Sequence, residues 1–252
     1  MSDSDREHTK EVTEQFTRAA EAFSERSRGR FDVLDPVAFS RVEPGQSVIE
    51  VGGGSGNFIS KFQSIAGLAA IFDLTPAMLG VARRTYPGLA LVVADAERLP
   101  LASGSADLAT TAQALHHMAT PVEVVRELRR VTKRSGRVLV VDSVAPDRIE
   151  EARAMNELDL IRDPSHVAFR SPAAMKVIVQ AAGLDIVDEH LSVEQQKLSQ
   201  WMWPDEFPGE RIEAVRNFIE ERGAETGMKF ERSGGDWVFE RRRLMLLCER
   251  AK

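Results

Sequence analysis

Residues 50–56 read Glu50-Val51-Gly52-Gly53-Gly54-Ser55-Gly56, and this stretch decides the fold. The apolar residues 47–51 predict a buried parallel strand, and the pattern over 58–65 predicts a helix. Alternate glycines let the backbone turn tightly and approach a ligand more closely than any side chain would allow. The sequence therefore predicts a strand, a glycine-rich ligand-binding turn and a helix.

The chain around this stretch alternates strands with helices. Strands are predicted at 47–51, 68–73, 89–94, 106–111 and 137–142, and helices at 8–28, 58–65, 76–85 and 121–133. This spacing predicts a doubly wound α/β fold, with helices on both faces of a parallel sheet. Beyond Pro146 we predict helices over 147–170, 172–183 and 208–226, and strands over 184–191 and 237–247.

The spacing of the glycines limits the classes of ligand that this turn can bind. A dinucleotide-binding turn of the form G-x-G-x-x-G that began at Gly52 would need glycine at position 57, where Asn57 stands. The pattern here is acid-x-G-x-G-x-G, which suits a ligand without a pyrophosphate to seat at a helix N-terminus. A nicotinamide-dependent oxidoreductase is therefore disfavoured.

Two more acids follow the second and third predicted strands. Asp73 can accept both hydroxyl groups of a ribose, and its alternative use is as a helix N-cap. Asp95 can accept an adenine amino group, and its alternative use is as a loop cap. The carboxyl ends of parallel strands meet at one edge, so Glu50, Asp73 and Asp95 are expected to converge on one crevice.

Composition excludes several classes of protein. The 252 residues carry a net charge of -6, which gives no support to a nucleic-acid-binding surface. Cys248 is the single cysteine, so an intramolecular disulfide is impossible, and its apolar surroundings predict a buried thiol. The polar N-terminus and the lack of a long apolar run predict a cytoplasmic protein without a membrane partner.

Residues 47–146 resemble the class I S-adenosylmethionine-dependent methyltransferases, in particular the branch of ubiquinone and menaquinone C-methyltransferases (methyltransferase type 11). The resemblance is carried by residues 48–58, 72–79, 94–100, 114–118 and 130–137. Two departures are visible: Glu50 stands where Asp is commoner, and Arg134-Ser135-Gly136 replaces a frequent Pro-Gly-Gly.

The resemblance implies a Rossmann-like, mostly parallel seven-stranded sheet with an antiparallel last strand and helical lid elements. It implies S-adenosylmethionine as cofactor, S-adenosylhomocysteine as product and no metal. The residues expected to bind the cofactor are Glu50, Gly52, Gly53, Gly54 and Gly56 at the methionine end, Asp73 at the ribose, Asp95 and Ala96 at the adenine, Ala112 or Gln113 beside the sulfonium, and Leu74 and Met78.

The chain divides into four predicted parts. Residues 1–35 are an N-terminal helical lid, 36–146 the cofactor-binding core, 147–170 a helical cap insertion, and 171–252 the C-terminal part of the same α/β domain. The first and third parts are not needed to build the sheet, so both are expected to close over the active site.

Methyl transfer from a sulfonium is an in-line displacement, which depends mainly on positioning. A general base is needed only where the acceptor must lose a proton, and the candidates are His116, His117 and His166. The alternative role of His116 and His117 is packing or hydrogen bonding beneath the cofactor, and the alternative for His166 is a position in a solvated loop near Pro164. Phe16, Phe23 and the Trp201-Met202-Trp203 run are candidates to line the acceptor pocket.

The leading hypothesis is a methyltransferase that acts on carbon, oxygen or nitrogen of a small molecule. The alternative is a catalytically inactive S-adenosylmethionine-binding protein that acts through a partner. The sequence leaves open whether the protein is a monomer or a homodimer.

Overall fold

The computed structural model describes residues 3–202 and 208–251. The strands are β1 Ser47–Val51, β2 Leu68–Asp73, β3 Ala90–Val93, β4 Ala106–Ala112, β5 Thr132–Ser143, β6 Leu184–Lys197, β7 Glu231–Ser233 and β8 Asp236–Arg250. The α-helices are α1 Asp3–Ser27, α2 Pro36–Ser40, α3 Pro76–Thr85, α4 Pro121–Val131, α5 Ile149–Arg162, α6 Pro172–Ala181, α7 Leu198–Trp201 and α8 Gly209–Arg222. Short 3-10 helices cover Ile59–Phe62, Leu115–His117 and Gly223–Thr226.

The strands form one sheet in the order β3-β2-β1-β4-β5-β8-β6, and the short β7 pairs with β8. The pairs among β1 to β5 are parallel, whereas β8 runs antiparallel to both β5 and β6. This confirms the predicted doubly wound sheet with an antiparallel last strand. The chain winds outward in both directions from β1 and β4, which places a ligand crevice at their carboxyl ends.

Apolar side chains fill both faces of the sheet, as the uninterrupted apolar strands require. On one face, Val125 and Leu128 of α4 pack with the side chains of α6. On the other face, Phe58 and Phe62 pack with the side chains of α2 and α3. Cys248 is buried in β8, where burial raises the pKa of its thiol to about 12. The thiol is therefore protonated and unreactive at neutral pH.

Several predicted boundaries were wrong. The helix predicted over 147–170 ends at Arg162, and the strand predicted over 184–191 continues to Lys197. The helix expected over 58–65 is only a 3-10 helix over Ile59–Phe62, in which the Lys61 N–H bonds to the Phe58 carbonyl oxygen and the Gln63 N–H to that of Ser60. Ser135-Gly136 does not end α4, which stops at Val131, and Thr132 already begins β5. The register of β5 shifts opposite Ala106 and Leu108, so the extra residues form a bulge.

A third apolar cluster lies above the sheet and forms the cap, which we define as α1, α5, α7 and α8 with the distal part of β8. Ala19 of α1, Leu158 of α5, Trp201 of α7, Phe218 of α8 and Phe239 of β8 pack together there. The cap thus draws on residues beyond the predicted lid segments 1–35 and 147–170. Among the described residues, no helix combines the length and apolar character needed to cross a membrane.

Candidate active site

One cavity lies at the carboxyl ends of β1 to β4, beneath α1 and the cap. The predicted cofactor-binding residues on its wall are Glu50, Gly52, Gly53, Gly54, Asp73, Leu74, Met78, Asp95, Ala96, Ala112 and Gln113. The prediction for Gly56 needs correction, because the structure turns this residue toward Ile71, Leu89 and Tyr86 and away from the cavity. Its N–H closes the turn by donating to the Gly53 carbonyl oxygen at 2.9 Å.

Backbone conformation explains why the turn needs glycine. Gly52 has φ 66° and Gly54 has φ 51°, both in the left-handed region. A Cβ atom on Gly52 would lie 2.7 Å from the Cβ of Ala114, and one on Gly54 would lie 2.8 Å from Cε of Met78. The turn therefore packs closely against its neighbours, and a side chain at Gly52 would meet an atom fixed to the backbone.

Glu50 lies at the floor of the cavity and is only 1% exposed. Its Oε2 accepts the Ile59 N–H at 3.1 Å. Burial, together with the negative charge of Asp73, raises the pKa of Glu50 to about 8. A cationic ligand group in this cavity would favour the ionised form of Glu50.

Asp73 joins the glycine turn to the end of β2. Its two carboxylate oxygens accept the N–H groups of Gly54 and Thr75, each at 2.8 Å. Burial raises the pKa of Asp73, and these backbone bonds act in the opposite direction. Thr75, rather than Asp73, occupies the N-cap position of α3.

Asp95 caps a loop and also lies on the cavity wall. Its Oδ1 accepts the Glu97 N–H at 2.9 Å, which caps the loop after β3. The exposed side chain also lies on the cavity wall, beside Ala96. Capping therefore holds this carboxylate at the outer end of the cavity.

Gln113 follows β4 in a strained conformation, with φ 54°. A non-glycine residue in this region costs about 1–3 kcal/mol, and such strain is concentrated at functional sites. Its Oε1 accepts the Ser143 hydroxyl at 2.9 Å, and its buried Nε2 has no hydrogen-bond partner among the described residues. The backbone thus holds an unsatisfied amide donor beside the cavity.

His116 also lies on the cavity wall and forms a pair with the buried Asp142. The His116 Nδ1 lies 2.7 Å from Asp142 Oδ1, and Asp142 also accepts the backbone N–H groups of His116 and Ser143. Burial and the charges of His117 and Arg241 lower the pKa of His116 well below its usual value. Its imidazole is therefore neutral at pH 7.

The other two histidines lie beside this pair. His117 is on the cavity wall, with Nδ1 3.0 Å from the Ser165 carbonyl oxygen and its ring edge-to-face with Phe16. His166 is not on the wall, because it lies behind His116 and bonds to Asn156 at 2.8 Å. This position does not support His166 as a candidate general base.

The predicted acceptor-pocket residues separate into three cases. Phe16, Phe23 and Trp201 line the cavity, whereas Met202 is buried in the cap and is not on the wall. Trp203 lies outside the described residues.

Several wall residues were not anticipated from the sequence. They are Arg30, Arg162, Gln196, Gln200 and Arg241. A signal existed for Arg241, because side chains alternate along a strand and residues 241 and 243 therefore share one face of β8.

Asn57 departs from a dinucleotide-binding motif, and the structure shows that it anchors the lid. Its Nδ2 donates to the Ser24 carbonyl oxygen at 3.0 Å and to the Ser27 hydroxyl at 2.6 Å, both at the end of α1. Its Oδ1 accepts the Tyr86 hydroxyl at 2.8 Å. The residue after the glycine turn thus fixes α1 over the cavity.

Residues 49–140 match the family described as Methyltransferase domain. They are a methyltransferase domain. This part of the chain is therefore similar to the class I S-adenosylmethionine-dependent methyltransferases, whose cofactor is S-adenosylmethionine.

Known proteins resemble this chain in sequence and in fold. It is 31% identical to the uncharacterized methyltransferase YcgJ of Bacillus subtilis over 56% of this chain and 58% of that protein. It is 34% identical to the ubiquinone/menaquinone biosynthesis C-methyltransferase UbiE of Ectopseudomonas mendocina over 44% of this chain and 46% of that protein. The solved structure of YcgJ superposes with a TM-score of 0.78 at 22% identity, over 86% of this chain and 96% of the other.

The residues that match the methyltransferase family form only one side of the cavity. The chain spans about half the length of the two curated relatives. The methyltransferase domain contains the glycine turn, Asp73, Asp95 and Gln113, but α1, α7 and β8 lie outside it. The similarity therefore concerns the cofactor-binding part, and the walls from the cap must be interpreted from their own chemistry.

Proposed function

We propose that this chain binds S-adenosylmethionine and transfers its methyl group to a small-molecule acceptor. The observation that supports this most directly is one continuous cavity with two kinds of wall. The glycine turn and the strand-end acids form one side, and Phe16, Phe23 and Trp201 close the other. A chamber covered by a helix and a cap suits a small molecule better than a polymer.

The residues present fit the cofactor. Glu50 and the glycine turn would hold the methionine end, where an ammonium group matches a buried carboxyl. Asp73 and Asp95 offer carboxylate oxygens to the ribose hydroxyls and the adenine amino group. The unpartnered Nε2 of Gln113 provides a donor between these groups and the acceptor side.

S-adenosylmethionine, when bound, supplies an electrophilic methyl group on a sulfonium. The protein's contribution is to align the acceptor, to exclude water and, for acceptors that ionise, to take a proton. We assign the last role to His116, because its Nδ1 lies 2.7 Å from Asp142 Oδ1, and an Nδ1–H donated to Asp142 would leave Nε2 to accept the proton. Asp142 would also stabilise the resulting imidazolium.

Calorimetry tests the cofactor assignment. We expect wild-type protein to bind S-adenosylmethionine and S-adenosylhomocysteine but not NADH. Asp73→Ala is expected to weaken S-adenosylhomocysteine binding by about 1–3 kcal/mol, because charged hydrogen bonds are lost. Asp188→Ala, which removes an exposed carboxylate paired with Arg41, serves as the matched control. Equal affinities for wild type and Asp73→Ala would remove the ribose assignment.

Turnover separates the enzyme from the inactive alternative. Purified protein would be incubated with methyl-labelled S-adenosylmethionine and a panel of small acceptors, and the labelled products counted. Transfer to any acceptor above the uncatalysed rate supports the proposal. Tight cofactor binding without transfer across the panel would favour a binding protein that acts through a partner.

A further inference from the structure

The inner wall of the cavity is unusually rich in arginine. Arg30 follows α1, Arg162 ends α5 and Arg241 lies on β8, and all three side chains line the cavity. Arg243 lies close behind them and is also buried. These guanidinium groups come from three distant segments, so the tertiary structure gathers positive charge opposite the acidic cofactor side.

The acids near these arginines are already engaged. Asp159 and Asp163 lie 3.3 Å and 3.7 Å from Arg162, and Glu194 forms an ion pair with Arg243. Asp142 bonds to His116 at 2.7 Å. Each of these four carboxylates therefore has a nearer partner than Arg30 or Arg241.

Arg30 and Arg241 differ from the other two arginines. Over residues 3–202 and 208–251, no carboxylate oxygen lies within the 4.0 Å ion-pair distance of either guanidinium. Arg241 donates to the Ser143 hydroxyl at 3.2 Å. Buried charge without a counter-charge is costly, so a bound anion would stabilise both groups.

Electrostatics agree with this geometry. Burial, followed by the charges of Arg241 and Arg243, lowers the pKa of Arg30 to about 9. Burial also lowers the pKa of Arg241 to about 10, although Asp159 acts in the opposite direction. Both groups remain cationic at pH 7, and their mutual repulsion would be relieved by an anion in the cavity.

Aromatic rings fix the orientation of both guanidinium groups. Arg30 lies over the ring of Phe23 at 5.3 Å, and Arg241 lies over Phe169 at 5.2 Å. Stacking uses the face of a guanidinium and leaves its N–H edge for a ligand in the plane. This edge matches the paired oxygens of a carboxylate or phosphate.

We propose that the methyl acceptor is an organic anion, whose carboxylate or phosphate is bound by Arg30 and Arg241 and whose apolar body packs against Phe16, Phe23 and Trp201. This inference rests on the proposed methyltransferase function. It names the class of substrate for the part of the cavity that lies outside the methyltransferase domain.

The methionine carboxylate of the cofactor is another anion that these arginines could bind. The sheet order argues against it for Arg241, because β4 and β5 separate β8 from the glycine turn after β1. Strands are spaced by about 4.8 Å, so β8 lies roughly 14 Å from β1. The adenosine side extends the other way, toward β2 and β3. Arg241 is therefore the residue that decides between the two sources.

The test uses the full chain loaded with S-adenosylhomocysteine, with phenylacetate and phenyl phosphate as anionic probes and phenylacetamide as the neutral probe. We expect at least one anion to bind wild type about tenfold or more tightly than the amide, and Arg241→Gln to abolish this preference. Arg242→Gln, which changes the next residue of β8 off the cavity wall, is the matched control and should retain it.

The remaining outcomes are also decisive. A wild-type protein without any preference for the anions would overturn the proposal. So would a loss of about tenfold in S-adenosylhomocysteine affinity in Arg241→Gln, since the anion would then be the cofactor's own. If Arg241→Gln does not fold, Arg30→Gln and the comparison of probes on wild type decide. Absence of S-adenosylhomocysteine binding to wild type is instead the failure of the proposed function, and anion preference is therefore also measured without it.

Discussion

The two halves of the cavity are built in opposite ways. The cofactor half consists of backbone turns and short acidic side chains at the ends of neighbouring strands, with Glu50, Asp73 and Asp95 as its charged groups. The other half, assigned to the acceptor, consists mainly of aromatic rings from α1 and α7 and of arginines that follow α1, end α5 and lie on β8, with Asp163 beside Arg162. A short local motif thus specifies one half, whereas the other exists only after distant segments have packed together.

The halves also differ in charge, and the difference matches the chemistry proposed for each. Acids surround the place assigned to a cofactor that carries ammonium and sulfonium charges. Arginines surround the place assigned to an anionic acceptor. Opposite walls would orient two ligands relative to each other, and correct relative orientation is what an in-line transfer requires.

The first prediction concerns the cofactor half and has the largest expected effect. Gly52→Ala combines an unfavourable φ with contact against Ala114, so the free energy of unfolding should fall by about 2–6 kcal/mol. Gly45→Ala is the matched control, because Gly45 also has positive φ but a Cβ atom there would have no neighbour within 4 Å. It should cost only about 1–3 kcal/mol in urea unfolding experiments.

Equal losses in Gly52→Ala and Gly45→Ala would show that the turn tolerates a side chain. The close packing of the glycine turn would then not distinguish the cofactor half. Calorimetry then compares the affinity for S-adenosylhomocysteine between wild type and each variant that folds.

The second prediction uses the buried acid of the same half. The folded-state pKa of Glu50 is about 8, above its ordinary value of 4.5, so folding favours the protonated form. The stability that this group contributes is fully present below about pH 4.5 and is lost as the pH rises through 8, at up to about 1.4 kcal/mol per pH unit. Glu50→Gln cannot titrate, so its stability relative to wild type should increase with pH.

Urea unfolding at about pH 5, 7 and 9 measures this difference. The exposed Glu25→Gln serves as control and should follow the wild-type curve. A constant difference between Glu50→Gln and wild type across this range would contradict the raised pKa of Glu50.

The third prediction concerns the acceptor half and is the smallest. Phe16 contacts Phe23 and His117 edge-to-face, with ring centroids 5.4 Å and 5.2 Å apart. Phe16→Ala should lower kcat/KM for an active acceptor, by an amount that corresponds to a loss of about 0.5–1.5 kcal/mol in transition-state stabilisation. The affinity for S-adenosylhomocysteine should remain unchanged. Phe16→Leu, which keeps an apolar side chain, should recover part of the loss. A fall in cofactor affinity alone would place Phe16 in the cofactor half.

Much of the fold and of the cofactor half could be predicted, because their signals are local. An apolar run, a glycine turn and a following acid lie within one strand-turn segment, and parallel strands carry their ends to the same edge. Errors arose at the ends of elements, where local sequence is a weak guide. The segment predicted as a helix over 58–65 is a 3-10 helix over Ile59–Phe62 only, and the helix predicted over 147–170 ends at Arg162.

The sequence by itself determined the doubly wound sheet and the convergence of Glu50, Asp73 and Asp95, since both follow from hydrophobic period and strand polarity. Only the tertiary structure decided that Arg30 and Arg241 share a wall and that His166 lies behind His116. The physical reason is that burial and charge compensation depend on which distant side chains become neighbours, and no local pattern records those neighbours.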